Sequence, residues 1–176
     1  MKTINFLAVT VLLISLSAFT VSQSMNWEIS NEHSIKFSGT EVEGIFKELK
    51  GDINFNESNL ASSKVSFSIP VSSINTGNGT KNKHAVSAKW FDAEQFPTIS
   101  FMSQKFAKTS AGYSATGIME IHGVKKEMTI PFTFENNMFK SSFAVKRLDF
   151  KVGTMKGMSK KVSDEIKLMV TVPVTK

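Results

Sequence analysis

The residues with the most chemistry in this chain lie between positions 76 and 101. They are Thr76-Gly77-Asn78-Gly79-Thr80-Lys81-Asn82-Lys83-His84, then Ser87, Trp90-Phe91-Asp92 and Phe96-Pro97-Thr98-Ile99-Ser100-Phe101. Cations, an amide, an imidazole and two large aromatics in so short a stretch suit recognition of an amphiphile. Lys81, Asn82 and His84 would face a polar head group, and Trp90 and Phe91 would line the start of an apolar tunnel. The same residues equally suit a structural part, in which Asn82 and His84 cap and fasten a helix while the two aromatics plug one end of the fold. Catalytic arrangements have less support. Asp92 lies near His84 and serines abound, but there is no Gly-x-Ser-x-Gly elbow and no serine at a predicted sharp strand-to-helix turn. The other histidines, His33 and His122, sit in Asn-Glu-His-Ser and Ile-His-Gly-Val turns, and no pair of the three has metal-ligand spacing. Cysteine is absent, which removes thiol catalysis, disulfides and a bacterial-type lipid anchor. No catalytic residue and no metal ligand is assigned.

A set of strands must hold these residues. Val65-Phe67-Ile69-Val71, Met128-Ile130-Phe132-Phe134 and Ile166-Leu168-Val170-Val172-Val174 put an apolar residue at every second position. Each therefore turns one face to an apolar interior and the other to water. Trp27-Glu28-Ile29 and Ile35-Lys36-Phe37 read as a strand pair or one bent strand. Val42-Gly44-Phe46 and Gly51-Ile53-Phe55 alternate around a bend or bulge at Leu49-Lys50. Ile99-Phe101, Tyr113 to Ile121 and Phe143-Val145 add further strands, with turns at Ser110-Ala111-Gly112, His122-Gly123 and Glu135-Asn136-Asn137. Gly77-Asn78-Gly79 breaks the chain, and Lys83 to Phe91, which lacks the period of two, predicts the single short helix. About eight strands without a repeat predict an all-β fold, a closed antiparallel barrel. A barrel of that size is either filled by side chains or wide enough for one ligand. Gly44, Gly51, Ala115 and Gly117 are small inward candidates beside Phe46, Phe55 and Phe67, and they leave both options open.

Lys2 precedes the apolar run Phe6-Leu7-Ala8-Val9 and Val11-Leu12-Leu13-Ile14, with small residues near Ser22. Residues 1–22 read as a secretory signal peptide and 23–176 as one domain, periplasmic or secreted. The run is shorter than the about 20 residues that a membrane helix needs. The formal net charge of +6 comes from lysines, Arg147 being the sole arginine. It suits transient contact with an anionic membrane surface or an acidic head group. Nucleic acid is not an expected partner, for want of clustered arginine or an exposed aromatic platform. A membrane-spanning barrel is disfavoured because the strands alternate with Lys, Ser and Asn where a lipid-facing band would be needed.

Several segments, in order, resemble the YceI-like family of exported, polyisoprenoid-binding, lipocalin-like barrels. They are the Trp27 to His33-Ser34 opening, Gly44-Ile45-Phe46 with Gly51-Asp52-Ile53-Asn54-Phe55, Ser73-Ile74-Asn75-Thr76-Gly77-Asn78, the Lys-Asn-x-His segment, Phe91-Asp92 with Phe96 to Phe101, and Gly117 with Ile121-His122-Gly123-Val124-Lys125-Lys126. The resemblance implies an extended eight-stranded antiparallel β-barrel with one short helix. It also implies non-enzymatic binding, sequestration or transport of an isoprenoid-like or other fatty amphiphile, of the prenyl quinone or prenyl phosphate class, with no other cofactor. Strand parity and the resemblance together nominate Phe46, Phe55, Phe67, Ile69, Trp90, Phe91, Phe101, Phe132 and Phe143 for the lumen, and Lys81, Asn82 and His84 for the head group. Where the family usually has Arg-Asp-x-His-Leu, this chain has Lys81-Asn82-Lys83-His84-Ala85, which keeps the charge but loses the planar fork and the carboxylate. A homodimer stays open. The alternatives are an enzyme acting on a hydrophobic substrate with His84 as acid or base, and a solid-cored stress-response interaction module.

Overall fold

The computed structural model describes residues 25–154 and 156–176, so the expected signal peptide lies outside the described residues. The elements in chain order are β1 (Asn26–Ile29), β2 (Ser34–Gly39), β3 (Val42–Phe46), β4 (Lys50–Asn54), β5 (Lys64–Pro70), β6 (Ile74–Asn75), α1 (Gly79–Val86), β7 (Thr98–Thr109), β8 (Gly112–Ile121), β9 (Val124–Glu135), β10 (Met138–Lys146) and β11 (Glu165–Thr175). Short 3₁₀ turns add to these, among them Arg147–Phe150 and Gly157–Lys161.

Every pairing is antiparallel. β4, β5, β7, β8, β9, β10 and β11 follow one another, and β1 closes the ring by pairing with both β11 and β4. β2 continues β1 along β11, β3 lies against β2, and β6 lies against β3. Thus β1/β2, β3/β4 and β5/β6 are each one bent strand, and the eleven segments make the expected closed eight-stranded barrel. The bend between β3 and β4 falls at residues 47–49, next to the expected Leu49-Lys50 irregularity. Two hairpins have left-handed residues at both central positions, His122 and Gly123 at φ 51° and 70°, Asn136 and Asn137 at 52° and 56°. That is the turn geometry whose twist matches a right-handed strand pair.

Two sequence expectations are corrected. The helix is Gly79–Val86, not Lys83 to Phe91. Asn78 Oδ1 accepts from the amides of Thr80 and Lys81, so the segment read as a chain break is the helix N-cap. After Val86 the chain passes into turns, with Phe91 N bonded to Ala85 O and Trp90 N to Ser87 O. Gly44, Gly51 and Gly117, for their part, each have a neighbouring backbone carbonyl where a side chain would stand. A methyl at Gly117 would collide with the Met102 carbonyl of β7, beside the irregularity at Ser103/Lys105, and one at Gly51 would collide with the Ser66 carbonyl of β5. These glycines let neighbouring backbones approach closely.

Candidate functional site

The inward faces of the strands enclose a cavity of about 1180 Å³. That is large against the roughly 300–1,000 Å³ of ordinary small-molecule pockets. Its wall is carbon. Phe67 and Ile69 of β5, Ile130 and Phe132 of β9, Phe143 of β10, and Ile166, Leu168 and Val170 of β11 all line it, yet each is only half-buried. Side chains that point inward and remain accessible border empty space, whereas a close-packed core would cover them. Ser141 is the polar exception on β10, and its hydroxyl donates to the Pro131 carbonyl at 2.5 Å.

The end of the barrel away from α1 is closed by rings. Phe55, 1% exposed, packs edge-on or tilted against Phe106, Tyr113, Phe132, Phe134 and Phe139 at centroid distances of 5.2–5.9 Å. Trp27 joins through Phe134 at 5.2 Å and donates its indole N–H to the Phe55 carbonyl at 3.0 Å. The bore ends at this plug.

The other end is the mouth. α1 brings Lys81 and His84 to the cavity, and the turn after it brings Trp90 and Phe91. Phe91 meets Phe46 edge-on at 6.2 Å. The opposite lip is the segment after β10, held by Arg147, which is 5% exposed. Its guanidinium donates to the carbonyls of Ser163 (3.0 Å), Val152 (2.9 Å), Ser159 (3.1 Å) and Val162 (3.0 Å), and lies 5.3 Å from the Trp90 ring centre. Burial pulls the Arg147 pKa down and the nearby Asp164 carboxylate opposes that shift. Lys81, Lys89, Lys151, Lys156 and Lys161 also border the mouth, where Glu41 is the one carboxylate among the described residues lining the cavity and Asp164 sits by Arg147. Cations so gathered give the opening a positive potential.

Of the residues nominated from sequence, Phe46, Phe67, Ile69, Trp90, Phe91, Phe101, Phe132 and Phe143 border the cavity, as do Lys81 and His84. Two do not. Phe55 is the centre of the plug, and Asn82 faces the end of β6, its Oδ1 accepting from the amide and hydroxyl of Thr76, the residue after that strand, both at 2.8 Å. Asn82 fastens the helix, as the structural alternative had it. Sequence reasoning missed Arg147 and the lip it organises, for which the only signal was a lone arginine where a five-donor fork is needed. His33 Nδ1 lies 3.0 Å from the Ser30 carbonyl and His122 packs on Phe96, so both are turn residues. Among the described residues no group of three or more His, Asp or Glu side chains is placed to hold a metal ion.

Residues 21–174 match the YceI-like domain. The chain belongs to that family. This YceI-like chain is 28% identical over 139 residues to a UPF0312 protein of Enterobacter sp. strain 638, covering 73% of this chain and 71% of the other. The structure of Burkholderia cenocepacia BcnA superposes with TM-score 0.78 at 25% identity, over 85% of this chain and all of that one. A polyisoprenoid-binding domain from Saccharophagus degradans, implicated in plant cell wall breakdown, superposes with TM-score 0.58 at 11% identity, over 87% of this chain and all of that one. The last likeness is one of fold.

Proposed function

We propose that this YceI-like protein is a non-enzymatic carrier of a long-chain amphiphile of isoprenoid type, which it binds, sequesters or transports with the tail in the lumen and the head at the mouth. The observation that carries this reading is the carbon-walled cavity of about 1180 Å³, closed by rings at one end and ringed by cations at the other. The polyisoprenoid-binding neighbour of like fold supports the ligand class. Each buried methylene contributes about 0.8 kcal/mol, so affinity comes chiefly from the tail, less the cost of ordering it. Lys81, His84 and the mouth lysines favour an electron-rich head, a prenyl phosphate or a prenyl quinone. They also suit passing contact with an anionic membrane surface, in a periplasmic or secreted protein whose residues 1–22 direct export.

Native mass spectrometry of protein purified without detergent tests this. The expected spectrum shows a non-covalent adduct that organic extraction releases as a prenyl lipid. A bare polypeptide mass, both as purified and after incubation with a prenyl quinone, overturns it.

A further inference from the structure

The barrel wall has a seam. β9 and β10 leave their hairpin paired at Glu135–Met138, Phe134–Phe139 and Thr133–Lys140, and the ladder stops there. On its other edge β9 pairs with β8 at nine positions, and β10 on its other edge pairs with β11 at nine. Residues 124–132 of β9 and 141–146 of β10 therefore adjoin without ladder pairing.

The local sequence accounts for the stop. Pro131 has no N–H to give to a ladder, a property that confines proline to strand edges. Ser141 donates its hydroxyl to the Pro131 carbonyl, so a side chain stands in for the next rung. Lys125 and Glu127 on β9 and Lys146 on β10 are exposed beside the seam, the charges that guard an unpaired edge against sheet extension. At the mouth end the seam is crossed once more. Lys126 Nζ lies 3.2 Å from Asp149 Oδ2 and 5.8 Å from the Phe150 ring centre. Both charged side chains are roughly half exposed. A pair so exposed is weak and is easily broken. Just inside lie Ile130, Phe143 and Val145, which belong to the cavity wall.

We infer that this seam is a lateral portal through which a long hydrocarbon tail is laid into the lumen sideways, with the Lys126–Asp149 contact as its latch. The inference rests on the carrier reading and deepens it to tails longer than the bore. β10 has nine residues, and at about 3.3 Å per residue strands of that length allow a bore of at most roughly 30 Å. A longer chain must bend or project. The seam offers it a carbon-lined way out that the plugged end does not, and sideways loading avoids threading every unit past the mouth.

Thr129 and Ala144 are exposed and would stand opposite each other if the register of the paired end continued. The chain has no cysteine, so Thr129→Cys/Ala144→Cys can form only this one internal disulfide. A closed disulfide holds the two Cα atoms within about 7 Å, so the strands cannot part there. Loading of farnesyl and decaprenyl benzoquinones from phosphatidylcholine vesicles is followed by quenching of tryptophan fluorescence, Trp90 being at the cavity. Oxidation is expected to slow decaprenyl loading about tenfold, a barrier rise of about 1.4 kcal/mol, with recovery on reduction. The farnesyl compound is expected to load at nearly the same rate in both states. Lys126→Ala, which keeps the wall intact, is expected to speed decaprenyl loading. Decaprenyl rates that are unchanged by both the oxidised pair and Lys126→Ala overturn the portal while equilibrium quenching still supports the carrier. No quenching of the unmodified protein by either quinone overturns the carrier reading itself.

Discussion

Arg147 satisfies four carbonyls of the mouth lip and stacks on Trp90, so its replacement tests whether the lip is built around it. Hydrogen bonds to a charged group are worth about 1.5–3 kcal/mol each, and carbonyls at the rim can partly rehydrate, so Arg147→Met is expected to lower unfolding free energy by about 3 kcal/mol in urea titration. Arg147→Lys should recover only part, because lysine lacks the planar fork. Tyr113 makes a pH-dependent contribution. Its hydroxyl donates to Glu57 Oε1 at 2.7 Å, and that bond, with burial and the Glu57 charge, raises its pKa above the ordinary 10.0. A raised pKa means that the stabilisation is complete below pH 10.0 and is lost as pH climbs through the folded-state value. Tyr113→Phe should therefore be less stable than the parent at neutral pH and lose that deficit in strong alkali, as thermal melts across the range would reveal. Residue types pointed to Lys81 and His84, but nothing in a sequence says which way a helical side chain turns, and Asn82, one position away, faces the end of β6.

Strand parity is readable because a period of two sorts side chains by face. It does not say how far along the bore a residue sits. Phe55 and Phe132 both read as inward, yet one is the centre of the plug and the other also borders the cavity. Phe55→Ala is accordingly expected to cost about 3–5 kcal/mol of stability by denaturant titration, as large-to-small changes in packed cores do. The prediction fails if stability holds and only ligand affinity drops. Gly117→Ala tests the close approach of β8 to β7. A carbonyl cannot yield as a flexible side chain can, so overpacking of about 1–3 kcal/mol is expected, with the change in amide chemical shifts concentrated at Met102 and Ser103. The helix start was hidden because an Asn flanked by glycines signals a turn as readily as a cap. What decided it was the pair of amides presented to Asn78 Oδ1.

Barrel closure was legible in the number of strands and the lack of a repeat, and the family in the order of short segments. Whether the barrel is hollow was not, since alternation says which faces look inward but not whether opposite walls meet. Phe143 and Leu168 are cross-strand partners that both border the cavity. A tryptophan at either site should fill space, lower affinity for a prenyl quinone and leave stability equal or higher, as calorimetry would show. The most direct measurement is a crystal structure of the protein with a prenyl quinone or prenyl phosphate. Continuous tail density is expected between the Phe55 plug and Trp90, with the head beside Lys81 and the mouth lysines. A lumen empty of ligand at saturating concentration, or a ligand bound only on the outer face of the barrel, would contradict it.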